Sequence, residues 1–410
     1  MGSSERRAED SLTTAKPLVS AIIATHNYGH YLSTALDSIL VQEGLHHQFE
    51  VEIIVVDDAS TDATAEVVQR YPEVRYLRHA HRQGVSAARN TGIRACKGEF
   101  VSFLDADDTW LPPKLRLQIP RLVSNPQAGV VYSQGIRHGA GDDAVFPPAS
   151  NAPSGNVFEA MLDYNFAVHG GCLLIRREAF DKVGCFDESL RTAEDLDLAF
   201  RLAFHFQFLF EPAPVMIYNI SPTGLWLTSA ALGAAESDHA RVVERALRML
   251  PDSPRFKEMR EEAPVRWAFH SMFPFVLIGQ FPEARSRMLA ALRANPSSGR
   301  YAWVRHRVKW ATHKIIVHAA SPRAEAHALC GEIESMLRDA DFEGRRSLQW
   351  ILAEIWADVF LSGPLRIRVG SKAAAYAALR AFKYAPSRAA LAHRIGRTFL
   401  SRIRNELRGT

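Results

Sequence analysis

The stretch FVSFLDADDTWLPPKL, residues 100–115, starts as a buried strand and runs directly into a group of acids. Four of its first five residues are apolar, and three carboxylates follow at Asp105, Asp107 and Asp108. Carboxylates repel one another and are costly to remove from water. An apolar strand that ends in such a group therefore predicts a bound cation at this position.

The residues around this stretch predict a parallel sheet. Apolar runs begin at Leu18 and Phe49, and each is followed by a segment with helical periodicity before residue 100 is reached. Continuous apolar strands that alternate with helices are typical of an α/β sheet covered on both faces. Ligands of such sheets bind beyond the carboxyl ends of the strands. We therefore expect residues 24–27, 57–58 and 105–108 to line one crevice.

Composition indicates a globular protein with two parts. The chain has 410 residues, of which 47% are hydrophobic and 23% charged. Residues 1–225 carry 19 basic and 28 acidic side chains, a net charge of −9, whereas residues 226–410 carry 30 and 17, a net charge of +13. We predict a disordered leader at 1–16, an α/β domain at 17–225 and a basic all-α domain at 226–410.

The four cysteines show neither metal-ligand nor disulfide spacing, which favours a reducing, cytoplasmic location. Residues 1–16 are polar and lack the apolar region of a signal peptide.

Four segments, in order, resemble glycosyltransferase family 2, the inverting sugar transferases with a GT-A fold. The segments are VSAIIATHNYGHYLSTALDSILVQ (19–42), EIIVVDDASTDAT (52–64), GVSAARNTGIRACKGEFVSFLDADDTWLPPKL (84–115) and FDKVGCFDESLRTAEDLDLAFRLA (180–203). The resemblance covers about residues 17–220. It implies a GT-A, Rossmann-like domain with a mostly parallel sheet.

The resemblance also implies a nucleoside-diphosphate sugar as donor, with a UDP-sugar favoured, and Mg²⁺ or Mn²⁺ as cofactor. It makes Asp107 a direct metal ligand. Asp105 would contact either the ribose or a group that itself binds the metal. Hard divalent cations prefer such oxygen ligands.

The remaining donor contacts are expected from the other matched segments. The resemblance implies that Asp58 meets the edge of the nucleotide base, with Asp57 beside it. His26 stands where the family has Tyr, so the identity of the base stays open. The nucleotide-binding residues expected in this way are Thr25, His26, Asn27, Asp57, Asp58 and Arg89.

On the acceptor side, the resemblance makes Asp195 the general base that takes a proton from the acceptor hydroxyl. Glu194 would position Asp195 or hold the acceptor, which is expected to be a glycan or a lipid-linked glycan. We predict that Asp197 instead pairs with Arg201, four residues further along a helix.

Two other function classes stay open. One is a nucleotidyltransferase on a similar sheet, although ATHNYGHY (24–31) lacks the Gly-rich phosphate loop that this chemistry usually needs. The other is a non-catalytic scaffold that binds glycans or nucleotide sugars. We expect no nucleic-acid partner, because aromatic residues are sparse among the basic ones of the C-terminal half.

The C-terminal half reads as helices, arranged either as short tetratricopeptide-like hairpins or as an irregular bundle. Its last segment, ALAHRIGRTFLSRIRNEL (390–407), has an apolar stripe beside several arginines. Such a helix either packs on its own domain or docks on the inner face of an anionic membrane. Peripheral membrane contact is therefore a second expectation for this part of the chain.

Overall fold

A computed structural model describes residues 16–139, 143–147, 152–162, 169–220 and 234–270, and scattered parts of 272–352. Residues 1–15 of the predicted leader and the predicted basic helix at 390–407 lie outside these residues. The strands are Leu18–Thr25 (β1), Glu50–Asp57 (β2), Val74–Arg78 (β3), Phe100–Asp105 (β4), Thr109–Trp110 (β5), Ala128–His138 (β6), Ala144–Phe146 (β7), Leu173–Arg176 (β8) and Gln207–Asn219 (β9).

The helices that accompany this sheet alternate with its first strands, as the periodicity predicts. They are Gly29–Leu40 (α1), Thr64–Val68 (α2), Val85–Ala95 (α3), Lys114–Val123 (α4), Phe158–Leu162 (α5), Ala179–Val183 (α6), Glu194–His205 (α7) and Ala234–Met249 (α8). Gly92 of α3 lies directly against Ile22 of β1, where an added methyl group would collide with the isoleucine side chain.

The strands form one mixed sheet in the order β3-β2-β1-β4-β8-β6-β9-β5, with β7 paired to β6. The first four strands of this order are parallel, which confirms the interpretation of the N-terminal half. Beyond β4 the sheet is no longer all-parallel. Strand β8 runs antiparallel to both β4 and β6, while β6 and β9 are parallel to each other. The sheet is therefore GT-A-like and mixed, with its parallel strands concentrated on one side.

The interior explains why the strands read as continuous apolar runs. Side chains on both faces of β1 are buried, including Val19, Ile22 and Ile23. Burial of each such side chain contributes about 1.5–3 kcal/mol. This core holds the ends of β1, β2 and β4 in fixed register, and those ends carry the polar residues.

The chain divides into two compact units, residues 1–259 and 260–410. The described elements of the second unit are helical and include Phe281–Ala294 (α10) and Pro322–Met336 (α11), while Lys257–His270 (α9) crosses the division. The domain boundary at residue 225 stays a prediction. Among the described helices, none combines the length and the apolar character that a membrane span requires.

Candidate active site

Three neighbouring strands end side by side. Thr25 of β1 is in register with Asp57 of β2, and Ala24 is in register with Asp105 of β4. The polar residues that follow these strands therefore share one edge of the sheet, as their sequence positions predict.

Asp57 is fully buried and is satisfied by the protein itself. Its Oδ1 accepts a hydrogen bond from the Ser60 amide at 2.7 Å, and its Oδ2 accepts one from the Tyr76 hydroxyl. These bonds close the turn after β2. Asp57 thus shapes the crevice instead of facing its opening.

Asp58 anchors the loop that follows β3. Its carboxylate accepts hydrogen bonds from His79 Nδ1 (2.8 Å), the Gln83 amide (2.8 Å) and the Gly84 amide (2.7 Å). Burial acts to raise the pKa of Asp58, but these hydrogen bonds outweigh it and lower the pKa below its ordinary value. A carboxylate has about four acceptor positions, so one remains for a ring N–H of a nucleotide base.

The Thr25, His26 and Asn27 segment is tied to the same turn. His26 Nδ1 lies 2.7 Å from the carbonyl oxygen of Asp58, and the Asn27 side-chain oxygen accepts from the Thr61 amide at 2.7 Å. Asn27 has a φ of 58°, a left-handed conformation that Asn tolerates better than most residues. The hydroxyl oxygen of Thr25 is buried and has no hydrogen-bond partner among the described residues.

Arg89 of α3 bridges the donor-side acids and the predicted acceptor-side pair. It donates from Nη2 to Asp105 Oδ1 and from Nη1 to Glu194 Oε1, each at 2.6 Å. Its guanidinium is buried and lies 5.3 Å from the ring centre of Phe186. A planar guanidinium suits such a double contact, because its donors are fixed in a fork.

The acids at the end of β4 have very different environments. Burial acts to raise the pKa of Asp105, but the adjacent Arg89 guanidinium keeps it below its ordinary value. Burial and the Asp105 charge raise the pKa of Asp107 to about 6. Burial, followed by the charges of Asp105 and Asp107, raises the pKa of Asp108 well above its ordinary value. A divalent cation would relieve this repulsion.

Asp108 is the most deeply buried of the three, with 1% exposure. Its Oδ1 accepts from the backbone amide of Asn219 at 2.9 Å, whereas its Oδ2 is buried and has no hydrogen-bond partner among the described residues. A buried carboxylate oxygen without a partner is unusual and indicates a missing ligand.

The donor set that fits a cation differs from the one expected from the sequence. One ligand atom each from Asp105, Asp108 and His169 lie within 4.8 Å of one another, so these residues fit a divalent ion. The assignment of Asp107 as a metal ligand stays a prediction. His169 Nδ1 accepts from the Gly171 amide at 3.2 Å, so the neutral ring carries its proton on Nε2. Ligation by His169 would require this hydrogen bond to break, which makes the two carboxylates the better ligands.

The acceptor-side pair lies at the start of α7. Glu194 is buried and Asp195 is partly exposed at the positive end of this helix, and Asp195 Oδ1 accepts from the Leu196 amide at 2.8 Å. Burial raises the pKa of both groups, although Arg89 opposes the rise. A methyl group added to Gly170 would lie 3.9 Å from the Asp195 side chain, so this glycine leaves space beside it.

Asp197 lies on the same helix and has a structural role, as the i,i+4 spacing predicts. Its Oδ2 accepts from Arg201 Nη2 at 2.7 Å. Two residues in contact with the acids at the end of β4 or grouped with them were missed by sequence reasoning: His169 and Asn219. They meet their partners only through sheet pairing and helix packing, for which a single sequence contains no periodic signal.

Comparison with known proteins shows which family this part of the chain resembles. Residues 20–184 match the family model described as Glycosyl transferase family 2. This stretch, less than half of the chain, is therefore similar to a glycosyl transferase family 2 domain. The domain match includes the donor-side residues and ends shortly before Glu194.

Relatives of this part of the chain include an uncharacterized glycosyltransferase of Rickettsia typhi, 33% identical over 46% of this chain and 59% of the relative. The succinoglycan biosynthesis protein ExoO of Rhizobium meliloti is 32% identical over 50% of this chain and 61% of that protein. The chain thus spans about three fifths of the length of these relatives. Among solved structures, a mannosyltransferase of Pyrobaculum calidifontis is 21% identical and superposes with a TM-score of 0.49, over 80% of this chain and 89% of that chain.

Proposed function

We propose that the protein is an inverting, metal-dependent glycosyltransferase that moves a sugar from a nucleoside-diphosphate sugar to a hydroxyl group of an acceptor. The observation that carries the proposal is the Arg89 bridge, which joins Asp105 to Glu194 through two 2.6 Å hydrogen bonds. The bridge brings the donor-side acids next to a carboxylate pair suited to proton removal. This is the arrangement that a direct transfer between two substrates requires.

On the donor side, we assign the nucleotide to the crevice lined by Thr25, His26, Asn27 and Asp58, whose shape the buried Asp57 sets from behind. Asp58 would accept from the base, and His26 would stack on it or bond a phosphate. A UDP-sugar is the favoured donor, as the resemblance implies, and the one free acceptor position of Asp58 suits the ring N–H of uracil.

We assign a divalent cation, Mg²⁺ or Mn²⁺, to Asp105 and Asp108, with His169 as a third candidate ligand. When bound, such a cation neutralises negative charge on the departing diphosphate. Arg89 contributes a fixed positive charge beside the same acids and keeps Asp105 ionised.

In the transfer itself, Asp195 takes the proton of the acceptor hydroxyl. At the same time, the hydroxyl oxygen attacks the anomeric carbon from the side opposite the diphosphate. The bond to the diphosphate breaks, and the configuration at that carbon inverts. Glu194 is held by Arg89 and stabilises the position of Asp195 beside it.

The acceptor that we propose is a glycan or a lipid-linked glycan that is part of a polysaccharide under assembly. Support comes from the similarity to a succinoglycan biosynthesis protein. The location that we propose is cytoplasmic.

A donor panel tests the proposed function. The full chain is incubated with UDP- and GDP-sugars, with Mn²⁺ or with a chelator, and release of nucleoside diphosphate is measured. We expect metal-dependent release from one class of donor. Tight donor binding without any release, in the presence of a range of glycan acceptors, would instead indicate a scaffold.

We expect Arg89→Gln to lower the free energy of unfolding by about 3 kcal/mol, because it leaves the buried Glu194 carboxylate and the partly exposed Asp105 carboxylate without their cation. Arg89→Lys retains the positive charge but not the planar pair of donors that reaches both carboxylates. We therefore expect a smaller decrease in the free energy of unfolding for this variant. Denaturant titration measures both. Arg94→Gln on the exposed face of the same helix is the control, and an equal effect there would contradict the bridging role.

The expected membrane contact of the basic C-terminal helix is retained as a proposal. We expect the full chain to sediment with vesicles of phosphatidylcholine and phosphatidylglycerol at low salt, and deletion of 388–410 to abolish this. Each basic residue near an anionic surface contributes about 1 kcal/mol, screened by salt. Sedimentation that is unchanged by the deletion would exclude this helix as the anchor.

A further inference from the structure

The turn directly before the acid pair has a left-handed residue and no side-chain helix cap. Helix α7 begins at Glu194, and its N-cap residue, Ala193, makes no side-chain capping bond. Ala193 has a φ of 61°, in the left-handed region that residues with a side chain rarely adopt. A conformation of this kind persists only where the surrounding structure holds it.

Helix α8 supplies this support through Asp238. Its Oδ2 accepts from the Arg191 amide at 2.8 Å and from the Thr192 amide at 3.1 Å, directly before Ala193. Its Oδ1 accepts from Arg241 at 3.0 Å, and Arg241 also donates to the Ser189 carbonyl at 3.0 Å. Asp238 is 8% exposed, so water competes little for these bonds.

Arg245 of the same helix donates hydrogen bonds to one residue before the acid pair and to one residue after it. Its Nη2 donates to Asp187 Oδ2 at 3.0 Å, in the loop before α7, and its Nη1 donates to Asp197 Oδ1 at 2.8 Å, within α7. The loop and the first turn of α7 are thus fixed relative to each other by one guanidinium.

We propose that Asp238 and Arg245 are positioning residues for Glu194 and Asp195: they set the backbone turn that delivers the acid pair to the crevice. The inference rests on the proposed function for its consequence in catalysis. Helix α8 lies beyond the residues matched by the family model, which end at 184. A requirement for α8 would therefore be a property of this chain that the family match does not contain.

The first test compares full-length Asp238→Ala and Asp238→Asn with the wild type. We expect kcat to fall by about 10–100-fold in the alanine variant, because misplacing a reacting group by about 1 Å costs of this order. The KM for the donor should change less than about twofold, since the donor-side residues are not contacted. Asn keeps one acceptor oxygen and should recover part of the loss. Arg245→Gln and Arg245→Lys form a second pair. We expect Arg245→Gln to lower kcat more than the conservative Arg245→Lys does.

Two control variants on α8 separate positioning from stability. Glu244→Gln removes an exposed carboxylate that pairs only with Arg248 in the described contacts, and it should leave kcat unchanged. Val243→Ala removes buried methyl groups, so it should lower the melting temperature and leave kcat unchanged at a temperature where it is folded. A kcat loss in Val243→Ala as large as that in Asp238→Ala would overturn the inference.

A readout independent of turnover is hydrogen exchange of the peptide covering residues 187–197. We expect faster exchange there in Asp238→Ala and Arg245→Gln, and wild-type exchange in Glu244→Gln. If the wild type transfers no sugar, the proposed function fails while this measurement still tests the support of the loop. Unchanged exchange and unchanged kcat in folded Asp238→Ala would refute the positioning role.

Discussion

Replacing Asp195 with Asn is expected to reduce turnover by about 10²–10⁴-fold, the usual contribution of a general base. The amide is nearly isosteric with the carboxylate and can still accept the 2.8 Å hydrogen bond from the Leu196 amide. It has no lone pair basic enough to take the acceptor proton. Donor affinity should stay nearly intact, because Thr25–Asn27, Asp57 and Asp58 lie on other elements.

Calorimetry with a nucleotide-sugar donor and a steady-state transfer assay measure the two quantities separately. Asp181→Asn is the matched control, because Asp181 is an exposed carboxylate on α6, outside the crevice. If Asp195→Asn loses donor affinity and rate to the same extent, Asp195 has a structural role and the base lies elsewhere.

Replacing Asp108 with Asn should weaken Mn²⁺ binding by at least about 10-fold and abolish most turnover. Even residues that only orient metal ligands typically contribute 10–100-fold to affinity, so a direct ligand should contribute no less. The buried Oδ2 of Asp108 has no described partner, and the amide nitrogen that replaces it is a donor that cannot bind a cation. The Oδ1 bond from the Asn219 amide can remain, so the turn should keep its shape.

Asp107→Asn is the decisive companion variant. The sequence resemblance assigns the metal to Asp107, whereas the cluster of ligand atoms contains Asp105, Asp108 and His169. Electron paramagnetic resonance of Mn²⁺ measures the affinity of each variant without any reaction. We expect a smaller loss in Asp107→Asn than in Asp108→Asn, and the reverse order would support the assignment from the resemblance.

Local signals were sufficient to predict that the ends of three strands meet at one edge of the sheet. Each of β1, β2 and β4 is a continuous apolar run that ends in polar residues, and parallel pairing brings such ends together. The Asp197–Arg201 pair was also predictable, since an i,i+4 spacing on a helix brings the two side chains into contact.

Long-range pairing was not predictable in the same way. The antiparallel arrangement of β8 depends on the path of the chain between β4 and β6, which no local pattern encodes. Asp238 lies 47 residues from Arg191, and its carboxylate reads in sequence as an ordinary helix-surface acid. The orphan oxygen of Asp108 emerges only from the packing around it.

The contact between Asp108 and Asn219 has a consequence for how the protein acquires its site during synthesis. The two residues are 111 positions apart, and β5, which follows Asp108, pairs with β9. The acidic turn therefore lacks its hydrogen bond from the Asn219 amide until residue 219 has left the ribosome. Strands β1 to β4 can associate earlier, because they leave the ribosome first and their pairings span shorter separations. A nascent chain that stops before β9 would have the aligned ends of β1, β2 and β4 but an acidic turn without its Asn219 contact.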